Sequence, residues 1–120
     1  MKDSPPMTAT GPLVSVVVPT RNSARTLEAC LAAARAQRSE VRIETIVVDN
    51  DSTDGTWEIA RRGADVVVRG GPERSAQRNL GVPKARGEWA LWLDSDMVLP
   101  AGAVRAALEP ARRQHVDAVA

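Results

Sequence analysis

Short runs of β-branched residues alternate with longer helical patterns along this chain, and this alternation most limits its possible folds. The clearest run, residues 13–18, reads LVSVVV and predicts a buried strand. Similar runs predict strands at residues 43–48, 66–68 and 89–93, and another apolar run begins at residue 116. Strands that alternate with helices predict βαβ units, whose right-handed crossovers give a parallel sheet with helices on both faces.

The helical patterns between the strands begin at recognisable signals. Ser23 is predicted to cap a first helix that runs to about residue 37, because apolar residues recur there at intervals of three and four. Ser52 or Thr53 is predicted to cap a short second helix. Helices are also predicted over residues 74–85 and from about residue 100 to residue 113.

Composition narrows the class of protein. The chain has 120 residues, of which 43% are hydrophobic and 26% charged, as expected for one folded domain. A net charge of +1 and only three aromatic residues, all Trp, disfavour nucleic acid as a partner. No apolar window approaches the length of a transmembrane helix. The single Cys30 and the lack of a signal peptide in residues 1–12 predict a cytoplasmic protein with a disordered leader.

Polar residues follow the predicted strands, and ligands bind at that edge of an open parallel sheet. The candidate site residues at strand ends are Pro19, Thr20, Arg21, Asn22, Asp49, Asp51, Asp94, Ser95 and Asp96. The helix predicted at residues 74–85 adds Arg74 and Arg78 near its amino terminus, where an anion can be held. The sequence therefore predicts one polar site at this edge.

Asp94 and Asp96 are the sharpest of these signals. In extended backbone, residues two apart point to the same side, so the two carboxylates can converge on one point. Hard oxygen ligands of this kind suit Mg²⁺ or Mn²⁺, which share their coordination with substrate phosphates. The alternative is a pair of turn-forming residues at the end of the strand, and the motif by itself does not decide between the two.

The second acidic cluster has mixed roles. Asp51, Ser52 and Thr53 can each cap the following helix, and Asp54 favours its positive end. Asp49 is different, because it stands at the end of the strand, before a cap is needed. A carboxylate at that point can accept hydrogen bonds from a ribose or from a base N–H.

Several site types are excluded by missing motifs. The chain has neither the glycine-rich fingerprint of a dinucleotide-binding fold nor a P-loop. It has no nucleophile elbow and no Cys/His set for zinc, and its one histidine, His115, lies past the site-bearing segments. A receiver-like or phosphatase-like domain needs an aspartate after the first strand, where Pro19 and Thr20 stand here.

Four segments, in order, resemble signatures of the family 2 glycosyltransferases, which have the GT-A fold. The segments are residues 14–22 (VSVVVPTRN), 47–56 (VVDNDSTDGT), 76–81 (AQRNLG) and 87–96 (GEWALWLDSD). The resemblance covers about residues 13–100. It implies a Rossmann-like nucleotide-diphospho-sugar transferase fold, with a GT-A-like domain over residues 13–120.

The resemblance also implies a reaction and a donor. The chain would supply the donor- and metal-binding half of an inverting glycosyltransferase that uses a nucleotide-diphosphate sugar. Lipid-linked or polysaccharide acceptors, at the inner face of the membrane, are implied by similar enzymes. Residues 50–51 read Asn-Asp where members of the family often have Asp-Gly or Asp-Asn, which leaves the carboxylate of Asp51 without a matched role.

Site roles follow by position in the matching segments. Thr20 and its neighbours would line the nucleotide pocket, and Asp49 would contact the base or the ribose. Arg74 or Arg78 would lie near the nucleotide. Asp94 and Asp96 would face the diphosphate and a Mg²⁺ or Mn²⁺ ion, with Asp96 as the direct metal ligand.

The catalytic base is the part that the sequence leaves unassigned. An inverting transfer needs a carboxylate that takes the proton of the acceptor hydroxyl. Only Glu109 and Asp117 follow Asp96, and neither stands in a convincing position, so the base is expected beyond Ala120 and the domain is expected to be incomplete there. The alternative function is a non-catalytic nucleotide-binding or interaction module.

Overall fold

Three stretches of the chain, residues 13–70, 86–114 and 118–119, are described by the computed structural model. The strands of its single parallel sheet are β1 (Leu13–Thr20), β2 (Arg42–Asp49), β3 (Val66–Arg69), β4 (Trp89–Trp92) and β5 (Ala118–Val119). The helices are α1 (Leu27–Ala36), the 3₁₀ helix Gln37–Ser39, α2 (Thr56–Gly63) and α3 (Ala103–Gln114). The predicted parallel α/β sheet is confirmed. The predicted leader at residues 1–12 and helix at residues 74–85 lie outside the described residues.

The central strand β1 has buried residues on both faces, and the strand order of the sheet is β3-β2-β1-β4-β5. Val14, Val16 and Val18 point to the face that α1, α2 and α3 cover, where they share one core with Leu31 and Leu108. A second buried cluster, on the opposite face, consists of Val17, Ile46 and Val48. All three described α-helices contribute to the first core, so helices on both faces stay a prediction.

Pro19 lies inside β1, although proline has no N–H to give to a strand ladder. The carbonyl of Val17 accepts the N–H of Leu93 at 3.0 Å, so the odd-numbered residues of β1 turn their backbone groups toward β4. Pairing between β1 and β4 ends at Val17, and Pro19 therefore has no ladder bond to make on that side. For this reason β1 continues through Pro19 to Thr20, two residues beyond its predicted end.

The chain enters β4 through a close contact with β1. The N–H of Gly87 donates to Ser15 Oγ and that of Glu88 donates to the Leu13 carbonyl, both at 2.9 Å. A Cβ on Gly87 would lie 2.6 Å from the Leu13 carbonyl oxygen and 2.7 Å from Ser15 Oγ, so only glycine fits. Ser15 Oγ in turn donates to the fully buried carboxylate of Glu44 at 2.5 Å. This network fixes where β4 begins.

Two helices start differently from their predicted caps. α1 begins at Leu27, whose N–H donates to the backbone carbonyl of Ser23 at 2.9 Å, and the side chain of Ser23 caps nothing. α2 begins after Gly55, which is its N-cap residue and has a left-handed conformation with φ 96°. The predicted caps by Ser52 or Thr53 are therefore wrong. The side chain of Ser23 bonds to Ser95, after β4, and that of Ser52 bonds to Asp49, at the end of β2.

Buried Gln37 ties the chain that follows β4 back to α1. Its Nε2 donates to the Pro100 carbonyl at 2.9 Å, and its Oε1 accepts the Val104 N–H at 3.3 Å. An ion pair between Arg105 and Glu40, 2.8 Å long, adds a second tie. These contacts fix the start of α3.

Within the described stretches, no helix has the length and apolar character needed to cross a bilayer.

Candidate functional site

The carboxyl ends of β1, β2 and β3 place three side chains in a row. Thr20 pairs with Asp49, and Asp49 pairs with Arg69, in the parallel register. Partners in such a register point to the same face, which here is the face that the helices cover. The row contains a buried hydroxyl, a buried carboxylate and an exposed guanidinium, at the sheet edge where the sequence predicts a site.

Asp49 is fully buried and is held by the loop that follows it. Ser52 Oγ donates a hydrogen bond to Asp49 Oδ1, and the Ser52 N–H donates to Oδ2 at 3.4 Å. The role of Ser52 is therefore to orient this carboxylate. Asp51, in the same loop, is exposed and has φ 45°. Because Asp49 has no exposed surface, a ribose or base can reach it only when a neighbouring segment moves.

Asn22 joins the loops after β1 and β2. Its Oδ1 accepts the Thr53 N–H and its own N–H donates to Ser52 Oγ, both at 2.8 Å. A third bond runs from the Ala24 N–H to Asp54 Oδ2 at 3.2 Å. Asn22 has φ 48°, in the left-handed region that Asn enters more readily than most residues. These bonds make the two loops one unit, and a contact of Asn22 with nucleotide stays a prediction.

Ser23 connects this unit to the loop after β4. Its N–H donates to Thr56 Oγ1 at 2.8 Å, and its Oγ lies 2.9 Å from Ser95 Oγ. Thr56 Oγ1 donates to Asp54 Oδ1 at 2.5 Å, at the amino end of α2 where Asp54 was predicted to act. The Thr56 hydroxyl is the main cause that holds the pKa of Asp54 below its usual value. All three loops are thus bonded through side chains.

The acidic residues after β4 form a turn. β4 ends at Trp92, and the Met97 N–H donates to the Asp94 carbonyl at 3.0 Å. Residues 94–97 therefore form a turn and not the extended backbone from which the convergence of the two carboxylates was predicted. Their role as metal ligands stays a prediction. Asp and Ser favour turns because their short side chains bond to nearby backbone, which accounts for the end of the strand here. We call residues 94–97 the acidic turn.

Cys30 lies behind the acidic turn, on the buried face of α1. Its Sγ donates to the Asp94 carbonyl at 3.6 Å. Burial raises the pKa of the Cys30 thiol to about 11, and the charges of Asp96 and Asp94 contribute to this shift. The thiol is therefore protonated at neutral pH, and both carboxylates act electrostatically on the same point.

The acidic turn offers two carboxylates to a cation. Asp96 is exposed and Asp94 is half-buried. Across the described stretches, no group of three or more His, Cys, Asp and Glu side chains could hold a metal ion. Two hard oxygen ligands fit Mg²⁺ or Mn²⁺ when water and substrate phosphates complete the coordination. The donor set therefore fits an ion shared with a substrate and does not form an all-protein cage.

Cationic side chains border the same edge. Arg21 is exposed in the loop after β1, whereas Arg74 and Arg78 lie outside the described residues. Arg69, at the end of β3, stacks on the ring of Trp57 with 3.9 Å between the guanidinium carbon and the ring centroid. Such a cation–π contact restrains the arginine beside Asp49.

Three residues that build this edge were assigned other roles, or none, from sequence. Ser23 and Ser52 were predicted as helix caps, and Cys30 was given no role in the site. The Ser23 and Cys30 partners in the acidic turn are 72 and 64 residues away along the chain. The spacing of residues within one segment does not indicate contacts between residues so far apart along the chain. The bond from Ser52 to Asp49 could have been predicted, because the two residues are only three positions apart and serine side chains often bond to such near neighbours.

These observations define a class. A parallel α/β sheet whose carboxyl edge joins a buried aspartate, cross-linked loops and an acidic turn has the layout of an open α/β ligand-binding fold. Its similarity to solved glycosyltransferases shows that this is the Rossmann-like GT-A fold. The chain belongs to glycosyl transferase family 2, because the sequence model of that family matches residues 15–120. The predicted family and fold are confirmed.

Relatives of known name agree with this assignment. Glycosyltransferase AglE of Haloferax volcanii is 37% identical over 98 residues, which are 75% of this chain and 32% of AglE. The mannosyltransferase PcManGT of Pyrobaculum calidifontis, solved with GDP-Man and Mn²⁺, is 31% identical with a TM-score of 0.69, over 98% of this chain and 36% of that one. S. aureus TarS 1-349, solved with UDP, is 30% identical with a TM-score of 0.69, over 85% of this chain and 32% of that one. The chain spans about a third of the length of these proteins.

Proposed function

We propose that this chain is the donor-binding part of an inverting glycosyltransferase, which transfers a sugar from a nucleotide-diphosphate sugar to a lipid-linked or polysaccharide acceptor. One observation carries the proposal. The loop that holds Asp49 and the acidic turn share one edge of the sheet, and Ser23 bonds to both sides of that edge. Membership of glycosyl transferase family 2 gives the reaction class.

In this proposal the loops after β1 and β2 bind the nucleoside. Thr20 and Arg21, at the end of β1, line the pocket, and Asp49 accepts a hydrogen bond from the base or the ribose. The full burial of Asp49 sets a condition, because the nucleoside must displace a neighbouring segment before it can touch the carboxylate. Arg74 or Arg78, which the resemblance places near the nucleotide, supplies positive charge there.

The acidic turn is assigned to the diphosphate end of the donor. Asp96, which is exposed, and Asp94, which is half-buried, would hold a Mg²⁺ or Mn²⁺ ion. Such an ion, when bound, supplies Lewis-acid stabilisation of the charge that develops on the departing diphosphate. The chain's own part is to orient the two carboxylates, through the bonds of Asp94 and Ser95 to α1 and the first loop. The carboxylate that deprotonates the acceptor is not assigned to any residue of this chain.

Titration of the purified 120-residue chain with UDP, GDP and dTDP tests the proposal, each with Mn²⁺ and each with EDTA. We expect one or more of the nucleotides to bind, and to bind more tightly with Mn²⁺. A folded sample, shown by circular dichroism, that binds none of the three under either condition would overturn the proposal. Binding without sugar transfer by the whole gene product would favour the alternative of a non-catalytic nucleotide-binding module.

A further inference from the structure

Ser23 makes more contacts between elements than its place in the first loop requires. Its backbone N–H donates to Thr56 Oγ1 at the start of α2, 2.8 Å away. Its backbone carbonyl accepts the Leu27 N–H at the start of α1, at 2.9 Å. Its side-chain Oγ lies 3.2 Å from the Arg21 carbonyl and 2.9 Å from Ser95 Oγ. One serine thus contacts two helix starts, its own loop and the acidic turn.

The hydroxyl contacts have a consistent direction. A hydroxyl group has one proton to donate and two lone pairs that accept. The Arg21 carbonyl can only accept, so Ser23 donates to it, and Ser95 then donates to Ser23 Oγ. In this arrangement each hydroxyl proton is donated once, and no two donors face each other.

Ser95 is the residue between the two carboxylates, so a bond on its side chain restrains both. On the buried side, the Cys30 thiol holds the Asp94 carbonyl at 3.6 Å, and the Met97 N–H closes the turn. The Ser23 bond is the contact that ties the side chain of Ser95 to the first loop. A turn that is held at these points loses less conformational entropy when a ligand binds.

We propose that Ser23 is a positioning residue for the acidic turn, which it holds through the hydroxyl of Ser95 in the geometry that a divalent cation and diphosphate require. The inference rests on the proposed function and deepens it. Ser23 contacts neither donor nor metal in this role. The bond from Ser23 Oγ to the Arg21 carbonyl is exposed and 3.2 Å long, so water can replace it when the hydroxyl is removed. The effect of removing the hydroxyl therefore falls on the metal-dependent part of nucleotide affinity.

The test is a double-mutant cycle on the 120-residue chain with Ser23→Ala, Ser95→Ala and both together. The dissociation constant is measured for whichever of UDP, GDP and dTDP the wild type binds, with saturating Mn²⁺ and again with EDTA. We expect Ser23→Ala to weaken binding about fivefold with Mn²⁺, as for the loss of one ordinary hydrogen bond, and to leave binding in EDTA unchanged. The double variant should be no weaker than Ser95→Ala alone, because both changes break the same bond.

Two further variants separate positioning from a general loss of structure. Ser23→Thr keeps the hydroxyl and should restore affinity to within about twofold of wild type. Ser39→Ala removes another hydroxyl-to-backbone bond, from Ser39 Oγ to the Ala36 carbonyl at 3.4 Å, away from the site, and should change nothing. Equal affinity of wild type and Ser23→Ala with Mn²⁺, equal weakening with and without Mn²⁺, or fully additive effects in the cycle would each overturn the inference.

The same experiments distinguish a failure of the proposed nucleotide binding from a failure of the Ser23 inference. A wild type that binds none of the nucleotides overturns the nucleotide-binding proposal itself. Binding of Mn²⁺ alone, followed by electron paramagnetic resonance, then tests Ser23 without any nucleotide. The same fivefold difference between wild type and Ser23→Ala supports the positioning role, and no difference between them overturns it.

Discussion

At the residue scale, Gly87 shows how a missing side chain can determine where a strand begins. Its N–H reaches Ser15 Oγ at 2.9 Å, and this approach brings the two backbones together at the start of β4. The signature segment that begins at Gly87 therefore has a packing reason at its first position. That reason is independent of any ligand.

We expect Gly87→Ala to lower the free energy of unfolding by about 2 kcal/mol, as for other overpacked sites. The new Cβ would lie within 2.8 Å of three atoms of Leu13 and Ser15, two of them backbone atoms. Urea unfolding followed by Trp fluorescence measures the change. Gly63→Ala is the matched control, because its closest neighbour is the flexible end of Arg35 at 2.9 Å, and it should cost less than about 1 kcal/mol. Equal losses in the two variants would contradict the packing argument.

Asp96, unlike the closely packed Gly87, is exposed, so loss of its side chain leaves no cavity. We expect Asp96→Ala to abolish the Mn²⁺-dependent gain in nucleotide affinity and to leave the fold intact. Removal of one of two neighbouring carboxylates also relieves repulsion, so the metal-free stability should not fall. Isothermal titration calorimetry with and without Mn²⁺ measures the first effect and thermal unfolding the second.

Glu58→Ala serves as control for Asp96→Ala, since Glu58 is an exposed acid on α2. It should bind nucleotide as wild type does in both conditions. Unchanged Mn²⁺-dependent affinity in Asp96→Ala would show that Asp96 is not a metal ligand.

At the element scale, the loops after β1 and β2 behave as one structure, and Asn22 is the residue that joins them. We expect Asn22→Leu to lower the free energy of unfolding by about 2 kcal/mol. The change removes the acceptor of the Thr53 N–H, and it puts a branched side chain at φ 48°. Asn22→Asp keeps an acceptor oxygen and should lose less than half as much. Chemical denaturation of both variants gives the comparison, and equal losses would show that the amide oxygen is not what joins the loops.

Elements differ in how far the sequence determines them. The strands were predicted to within two residues at each end, because β-branched runs report burial on both faces of a sheet. The helix starts were not, because the side chains expected as caps bond to other groups. Ser23 bonds to Ser95 and Ser52 to Asp49, and each bond competes with capping.

The candidate site was predicted in position but not in geometry. Asp49 and the acidic turn lie at the predicted edge, because strand ends in a parallel sheet meet there. The turn of residues 94–97 was predicted only as the alternative to an extended pair, and the full burial of Asp49 was missed. Both depend on contacts between segments far apart in sequence, among them the bond from Cys30 to the Asp94 carbonyl.

At the scale of the whole molecule, the Asp65 carboxylate joins three elements. It accepts hydrogen bonds from buried Arg38, after α1, at 2.5 Å and from the Thr45 N–H, in β2, at 2.8 Å, and it lies directly before β3. Burial opposes ionisation, but the Thr45 N–H and the Arg38 guanidinium hold the pKa of Asp65 below its ordinary value of 3.8. The ionised form therefore stabilises the folded chain.

This shift predicts a direction for stability against pH. Because the folded pKa is lowered, the contribution of Asp65 is fully present above pH 3.8 and is lost as the pH falls through the folded pKa. Asp65→Asn should be less stable than wild type at pH 7, and the difference should shrink as the solution is acidified below pH 3.8. Urea unfolding at a series of pH values measures it, with Glu58→Gln as a control for net charge. A difference that stays constant with pH would contradict the assignment.

The bonds between the first two loops also limit where this chain can change length during evolution. Asn22, Ala24, Ser52 and Thr53 meet in a fixed register, so one inserted or deleted residue in either loop would displace every partner at once. Such a change would also shift Ser52 away from Asp49. We therefore expect length variants of this domain to be tolerated less well in these two loops than outside them. Gaps between related sequences should be rare within residues 20–24 and 50–55.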